Sequence, residues 1–272
     1  MSAKPLISVN MCVYRPHPVY FREAVQSILN QTFENFELVI VEDPSEVDGR
    51  ELISDVLGDR RIRYIHNDLR TGLIAQRNQA LNESKADWVA ILDADDVAVP
   101  TRLETQWRFI QEKPQVSVLG SWIEIINENG ESVGIRRYPQ HHQDIARTMR
   151  RYNPIAQPAV FLHRNTALSV GGYQGEAYVE DFHLWCRLLK QGCTFANIPD
   201  TLTRYRVHSG GATKTTHLRH VLQNTIRIKR DNFGGEMNFA DKARLIAERL
   251  LLLLPPQWVY KLFCLLTFQT RK

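Results

Sequence analysis

Cysteine is scarce and unpaired. The 272 residues hold four, Cys12, Cys186, Cys193 and Cys264, with no C-x-x-C spacing. That argues against a disulfide framework or a zinc finger and fits a reducing, cytoplasmic compartment. Glycine (14) and proline (12) are near ordinary usage, which excludes collagen-like and low-complexity chains. There is no internal repeat. The opening Met-Ser-Ala-Lys-Pro lacks the apolar run of a signal peptide. Nucleotide-loop, hydrolase and zinc-protease signatures are missing as well: no G-x-x-x-x-G-K-[ST], no G-x-S-x-G and no H-E-x-x-H. His141 and His142 are adjacent, so their side chains point apart and make a poor metal pair.

What is present is a chain that can bury a substantial core without covalent staples: 43% hydrophobic and 24% charged residues. The net charge is only +4 but it is unevenly placed. From Arg204 onward 13 basic residues face 4 acidic ones, a balance of +9, and the first 203 residues carry −5. A basic end of this kind suits an anionic surface or is a solvated helix face.

The first half alternates short apolar runs with amphipathic stretches. Strands are expected at 6–13, 36–41, 61–65 and 87–92, and helices at 20–30 and 72–84. The apolar run ending at Leu92 implies burial on both faces, as in a parallel sheet. The expected fold is therefore α/β, a layered and mostly parallel sheet, with ligands at the carboxyl edge of the strands. In the second half a hairpin is expected over 121–137, a strand at 158–162, a helix over 179–191 closed by Gly192, and a strand at 201–207. Beyond Thr213 only helices are read. The division is 1–212 as catalytic domain, with halves at about 1–115 and 116–212, and 213–272 as a basic and apolar helical tail.

The strongest chemical signal is Leu92-Asp93-Ala94-Asp95-Asp96. Three carboxylates close a buried strand at the ligand edge. Ionised together they repel and call for a cation. Mg²⁺ or Mn²⁺ takes oxygen ligands and bridges carboxylates to substrate phosphates. The plainer alternative is an acidic turn capping the helix that follows Pro100.

These blocks together resemble a family 2 glycosyltransferase of the GT-A, nucleotide-sugar-binding fold. Matching segments run in order from Ile7-Ser8-Val9 through Val13-Tyr14-Arg15, Glu42-Asp43, Arg77-Asn78 and Asp93-Ala94-Asp95. Gly171-Gly172-Tyr173, Glu180-Asp181 and Tyr205-Arg206-Val207-His208 follow. The resemblance covers roughly residues 5 to 210. It implies that Val13, Tyr14, Arg15, Asp43, Arg77, Asp93 and Ala94 bind the nucleotide sugar, with Asp43 accepting from a base N3–H and Arg77 pairing with diphosphate or buttressing carboxylates. It implies that Asp95, with Asp93 and His208, holds the divalent metal, while Asp96 either orients these neighbours or contacts the ion. Asp181 would be the general base, with Glu180 its nearest competitor; Glu180, Gly172, Tyr173 and Trp185 would face the acceptor. Glu42 stands where the family usually has Asp, Pro44 where Gly is common, and Val13 where many members have Thr.

The implied reaction is inverting transfer of a sugar from a nucleotide-diphosphate donor, UDP-sugar favoured, to a saccharide or lipid-linked acceptor in bacterial surface polysaccharide assembly. A silent nucleotide-sugar-binding scaffold and a sugar nucleotidyltransferase are the rivals. The second would want a Gly-rich, basic loop after the first strand, which Val13-Tyr14-Arg15-Pro16-His17 does not supply. In the tail, five leucines precede Pro255-Pro256, and an aromatic and Leu-rich segment follows. Neither piece reaches the roughly 20 apolar residues of a span. The composition implies an interfacial helix on an anionic membrane surface, peripheral at its inner face, or a helix packed on protein. Nucleic acid is not an expected partner.

Overall fold

A computed structural model describes residues 4–208, 215–255 and 258–259. In chain order the elements are β1 (Ile7–Val13), α1 (Pro18–Leu29), β2 (Phe36–Glu42), α2 (Gly49–Leu52), β3 (Ile62–His66), α3 (Leu73–Glu83), β4 (Trp88–Ile91) and β5 (Val97–Ala98). Then come α4 (Arg102–Glu112), β6 (Val116–Ile126), β7 (Ser132–Arg136), α5 (His142–Met149), a 3₁₀ turn (Gln157–Ala159), β8 (Phe161–His163) and α6 (Arg164–Ser169). The chain continues through α7 (Glu180–Lys190), β9 (Thr194–Arg206), α8 (Thr215–Phe233) and α9 (Phe239–Leu251).

One sheet runs in the order β3-β2-β1-β4-β8-β6-β9-β5, with β7 beside β6. β3, β2, β1 and β4 are mutually parallel, as the buried apolar runs require. The second half is mixed: β8 is antiparallel to β4 and β6, β9 is parallel to β6, and β5 is antiparallel to β9. On one face Val9, Leu38, Ile40 and Ala90 pack with Phe21, Val25 and Ile28 of α1 and Leu103 of α4. On the other, Val89, Ile91 and Val118 meet Leu184, Trp185 and Leu188 of α7 and Ile228 and Phe233 of α8. Both faces are covered by helices, which leaves the carboxyl ends of the parallel strands as the place for a ligand.

Two expectations shift. The strand expected at 201–207 begins at Thr194. Pro199 and Asp200 look like a break, yet they are exposed and bulge out where the register steps from Ser121–Ile198 to Trp122–Thr201. A bulge lets Pro sit beside a ladder without donating to it. The strand expected at 158–162 begins at Phe161, because Pro158 lies in the 3₁₀ turn. α2, α5, α6 and β5 are too short to be read from the sequence.

The helices after residue 213 are α8 and α9, and they dock on the sheet domain. Lys229 of α8, 1% exposed, pairs with Glu248 of α9 and donates to the Arg151 carbonyl at 3.0 Å. The outer side of α9 is apolar. Phe239, Ile246, Leu250 and Leu253 recur at helical spacing and are all exposed, as is Trp258. Among the described residues, no helix is long and apolar enough to cross a membrane. The aromatic segment from residue 260 lies outside the described residues.

Candidate active site

Parallel pairing brings the ends of β1, β2 and β4 to one edge, and the starts of α3 and α7 and the end of β9 close around them. The β1 tip carries Tyr14 and Arg15. Arg15 adopts a positive φ of 52° and pairs with Glu46 at 3.0 Å. The Tyr14 ring lies under the guanidinium of Arg70, at 4.2 Å, and of Arg15, at 5.3 Å. Val13 is turned away from this edge. Its side chain is buried in the core, and its carbonyl accepts from Gln76 Nε2 and from the Asp43 N–H. Neither its side chain nor its carbonyl is open to a base.

Asp43 ends β2 with all four of its acceptor positions filled. Oδ1 accepts from Asn67 Nδ2 and Thr71 Oγ1, both at 2.9 Å. Oδ2 accepts from the N–H groups of Thr71 (2.8 Å) and Gly72 (2.7 Å). Burial works against the charge, but these donors outweigh it and hold the carboxyl below its ordinary range. Asp43 thus ties β2 to the entry of α3, and a base N3–H reaches it only by opening one of these bonds. Glu42 faces the other way, accepting from Gly49 N, Tyr64 Oη and His66 Nδ1. Glu42, Asp48 and His66 converge within 4.8 Å of one another, as metal ligands would. Asp48, however, is held by Arg50, so the trio is satisfied by its own chain.

Beyond β4, Asp93 and Asp95 are partly open and Asp96 is fully buried. Asp95 Oδ2 lies 2.9 Å from His208 Nε2, so the end of β9 does reach the acidic turn. Asp93 turns instead to Arg77, whose Nη2 donates to it at 3.3 Å. The same guanidinium lies 3.0 Å from Glu180. Burial opposes the Arg77 charge, but Asp93 and Glu180 keep it firmly protonated. Asp96 accepts from the Arg206 N–H at 2.8 Å, and its second oxygen is buried without a partner. Burial, then Asp95 and Asp93, push its carboxyl well up. Asp96 thus ties the acidic turn to the end of β9 from beneath the edge. Asp95 and His208 meet at one point, while Asp93, partly open, is held by Arg77 and does not converge with them. A carboxylate and an imidazole, with a second carboxylate nearby, are donor types that suit Mg²⁺ or Mn²⁺.

On the acceptor side, Asp181 stands in the first turn of α7, half-buried, and accepts from Asn153 Nδ2 at 2.8 Å. Burial, then the charge of Glu180, push its carboxyl up to about 7. Glu180 is 2% exposed and paired with Arg77, so it is poorly placed to take a substrate proton. Trp185 is fully buried against the sheet and offers no face to a sugar. Tyr173 is also buried: Arg77 lies over its ring at 5.6 Å, and its oxygen accepts from Gln157. Gly172 has φ +65° and packs against Asn78, whose side chain bonds both backbone groups of Tyr173. A side chain there meets Asn78 head-on. Gly172, Tyr173 and Trp185 therefore shape the site from beneath rather than line it. Ala94, half-buried, packs its methyl toward the core.

Sequence reasoning gave no role to three groups: buried Arg102, buried Arg206, which it named only within a matching segment, and part-buried Asn153. Arg102, fully buried, donates to the carbonyls of Ile91 and Pro158, both at 2.7 Å, and joins β4 to the turn before β8. Burial pulls its guanidinium down to about 9. Arg206 donates to the Asp95 carbonyl at 3.0 Å and to Glu23 at 2.5 Å, and covers the Tyr20 ring at 4.4 Å. Asn153 stands in a loop with no periodicity. For Arg102 the one legible signal is an arginine on the apolar stripe of a helix.

The family model described as glycosyl transferase family 2 matches residues 8–170. The chain belongs to glycosyltransferase family 2. The O-antigen biosynthesis glycosyltransferase WbnJ of Escherichia coli is 32% identical over 216 residues, covering 77% of this chain and 83% of that one. The E. coli UDP-Gal:alpha-D-GlcNAc-diphosphoundecaprenol beta-1,3-galactosyltransferase is 29% identical over 222 residues, 80% of each chain. Among solved structures, S. aureus TarS 1–349 with UDP-GlcNAc superposes with a TM-score of 0.64 at 16% identity, covering 89% of this chain and 79% of that one. The mannosyltransferase PcManGT of Pyrobaculum calidifontis, with GDP-Man and Mn²⁺, gives 0.62 at 15% identity, covering 97% and 81%. The fold is GT-A.

Proposed function

We propose that this glycosyltransferase inverts the sugar it moves, passing it from a nucleotide-diphosphate donor, a UDP-sugar in first place, to a hydroxyl of a saccharide or lipid-linked acceptor in bacterial surface polysaccharide assembly. The observation that carries this reading is Asp181: a half-buried carboxylate at a helix start, raised to about 7, one residue from the Glu180–Arg77–Asp93 link to the donor carboxylates. A base works best when its own proton affinity lies near the working pH.

In this reading Asp181 accepts the proton of the acceptor hydroxyl. That oxygen attacks the anomeric carbon from the face opposite the nucleotide, and the bond from that carbon to the diphosphate oxygen breaks. One displacement inverts the configuration. Tyr14, under Arg70, offers a ring face to the base, and Asp43 fixes the loop beside it. Asp95, Asp93 and His208 would hold the divalent ion, which when bound acts as a Lewis acid on the diphosphate. The galactosyltransferase relative, named for a UDP donor and a diphosphoundecaprenol-linked acceptor, supports the substrate class.

A lipid-linked acceptor also suits the exposed apolar side of α9, and we place the protein at the inner membrane face through it. The enzymatic reading is tested by incubating the full chain with radiolabelled UDP-sugars and Mn²⁺. Metal-dependent release of UDP from one of them is expected. Binding of UDP-sugar with no release, with or without acceptor glycolipid, would leave a silent scaffold.

A further inference from the structure

We propose, building on the reading of Asp181 as the base, that Asn153 is the positioning residue that fixes the Asp181 carboxylate, and that α8 and α9 hold Asn153 in place. Asn153 Nδ2 donates to Asp181 Oδ2 at 2.8 Å. Its Oδ1 accepts from the Ile155 N–H at 3.2 Å. These two bonds set the amide one way round. Flipped, it would put an oxygen against a carboxylate and leave the Ile155 N–H unpaired.

Asn153 lies in the irregular segment between α5 and the 3₁₀ turn, where no ladder or helix holds the backbone. The holding groups come from the C-terminal helices. Lys229 Nζ donates to the carbonyl of Arg151, two residues before Asn153, while paired with Glu248. Arg151 pairs with buried Asp241 at 3.2 Å. Arg150 reaches Glu236 at 2.9 Å. On the far side, Asn197 Nδ2 donates to the Pro154 carbonyl at 3.1 Å. The segment is thus pinned on both flanks of Asn153. Burying the Lys229 ammonium is costly unless it is fully paired; Glu248 takes its charge, and its bond to the Arg151 carbonyl goes to this segment.

The ionisable groups facing Asp181 are Glu180 on its own helix, Arg77 of α3, Tyr173 before α7, Tyr138 after β7 and Cys186 one turn along α7. Glu180 disfavours the charged carboxylate; Arg77, the Phe182 N–H and Asn153 favour it. Asn153 supplies the side-chain hydrogen bond of this set. Its loss therefore moves the Asp181 titration upward.

The test needs no substrate. Carboxyl carbons of aspartate are labelled with ¹³C in the full chain, and the Asp181 signal, assigned by its loss in Asp181→Asn, is followed against pH. A hydrogen bond to a charged group accounts for a shift of about one pH unit. Asn153→Ala is expected to raise the midpoint by about that much, and the isosteric Asn153→Asp to raise it further. Asp241→Asn separates the clamp from simple charge: losing a negative charge by itself can only lower the midpoint, whereas releasing the segment raises it. A midpoint unmoved in both Asn153 variants overturns the role of Asn153. A midpoint unmoved or lowered in Asp241→Asn overturns the role of the helices. Activity retained in Asp181→Asn would instead remove the base assignment and leave the positional result standing.

Discussion

Arg77 Nε lies 3.0 Å from a carboxylate oxygen of Glu180, with both side chains almost wholly buried. The same guanidinium donates to Asp93. One arginine therefore joins the acidic turn at the donor edge to the helix that carries Asp181. Its N–H is not aimed along a hydrogen-bond axis at Glu180, so the attraction is mainly Coulombic. Arg77→Met is expected to destabilise the fold by about 3–5 kcal/mol, because it leaves buried carboxylates unpaired. Adding Glu180→Gln should recover part of that loss. Urea unfolding of the two single variants and the double variant checks it. Additive effects would mean that the pair does not interact.

Asp95→Ala is expected to abolish the Mn²⁺-dependent part of UDP binding, and His208→Ala to weaken it, since both face the same point at 2.9 Å. Calorimetry with and without the ion reads this directly. Unchanged affinity in Asp95→Ala would move the metal elsewhere on the edge.

Much of this site is legible in the sequence. The apolar runs of β1, β2 and β4 fixed three parallel strands, and parallel strands put Asp43, Asp93 and Asp95 at one edge. Asp181 was legible only through the family resemblance, since an acidic first turn is also an ordinary cap. Side-chain direction was not legible. Val13, Tyr173 and Trp185 lie at the right places in the chain, yet their side chains point into the core. Asp43 shows the same limit differently: the sequence places the carboxylate, but the Thr71 and Gly72 donors that fill it come from a loop without pattern. Asn153 and Lys229 left no signal, because Asp181 and Glu248, which they pair with, are 28 and 19 residues away and no periodicity links them.

Burial, then the charge of Glu180, raise the Asp181 carboxyl to about 7 in the folded chain, well above the ordinary carboxylate range. The fold thus prefers the protonated acid, and the stability this gives is lost as pH rises from about 4 through 7. Activity runs the other way, because the base must be ionised. An acid limb of kcat/KM near pH 7 is expected. Asp181→Asn, which removes the ionisation, should gain more in Tm over wild type at pH 8 than at pH 5. Equal gains at the two pH values would contradict a raised carboxyl.

The outer side of α9 is expected to bring the protein to anionic membranes. The exposed Phe239, Ile246, Leu250 and Leu253 would supply insertion, and the basic C-terminal region would supply attraction. Salt should weaken binding without abolishing it, since screening touches only the charges. Liposome sedimentation of the full chain, of Phe239→Ser/Ile246→Ser/Leu250→Ser, and of a version ending at Leu254 separates the contributions. If the triple variant sediments like wild type, α9 is not the membrane face. A concentration-dependent dimer lost in the triple variant would make it a subunit interface.

The most direct measurement is made on Asp181→Asn, with UDP-sugar affinity and transfer rate determined on the same preparation. The amide fills the same space but cannot take a proton. Donor affinity should stay at the wild-type value while transfer falls about 10²–10⁴-fold. Transfer at a near-normal rate, with the donor still bound, would contradict the assignment of Asp181 as the base.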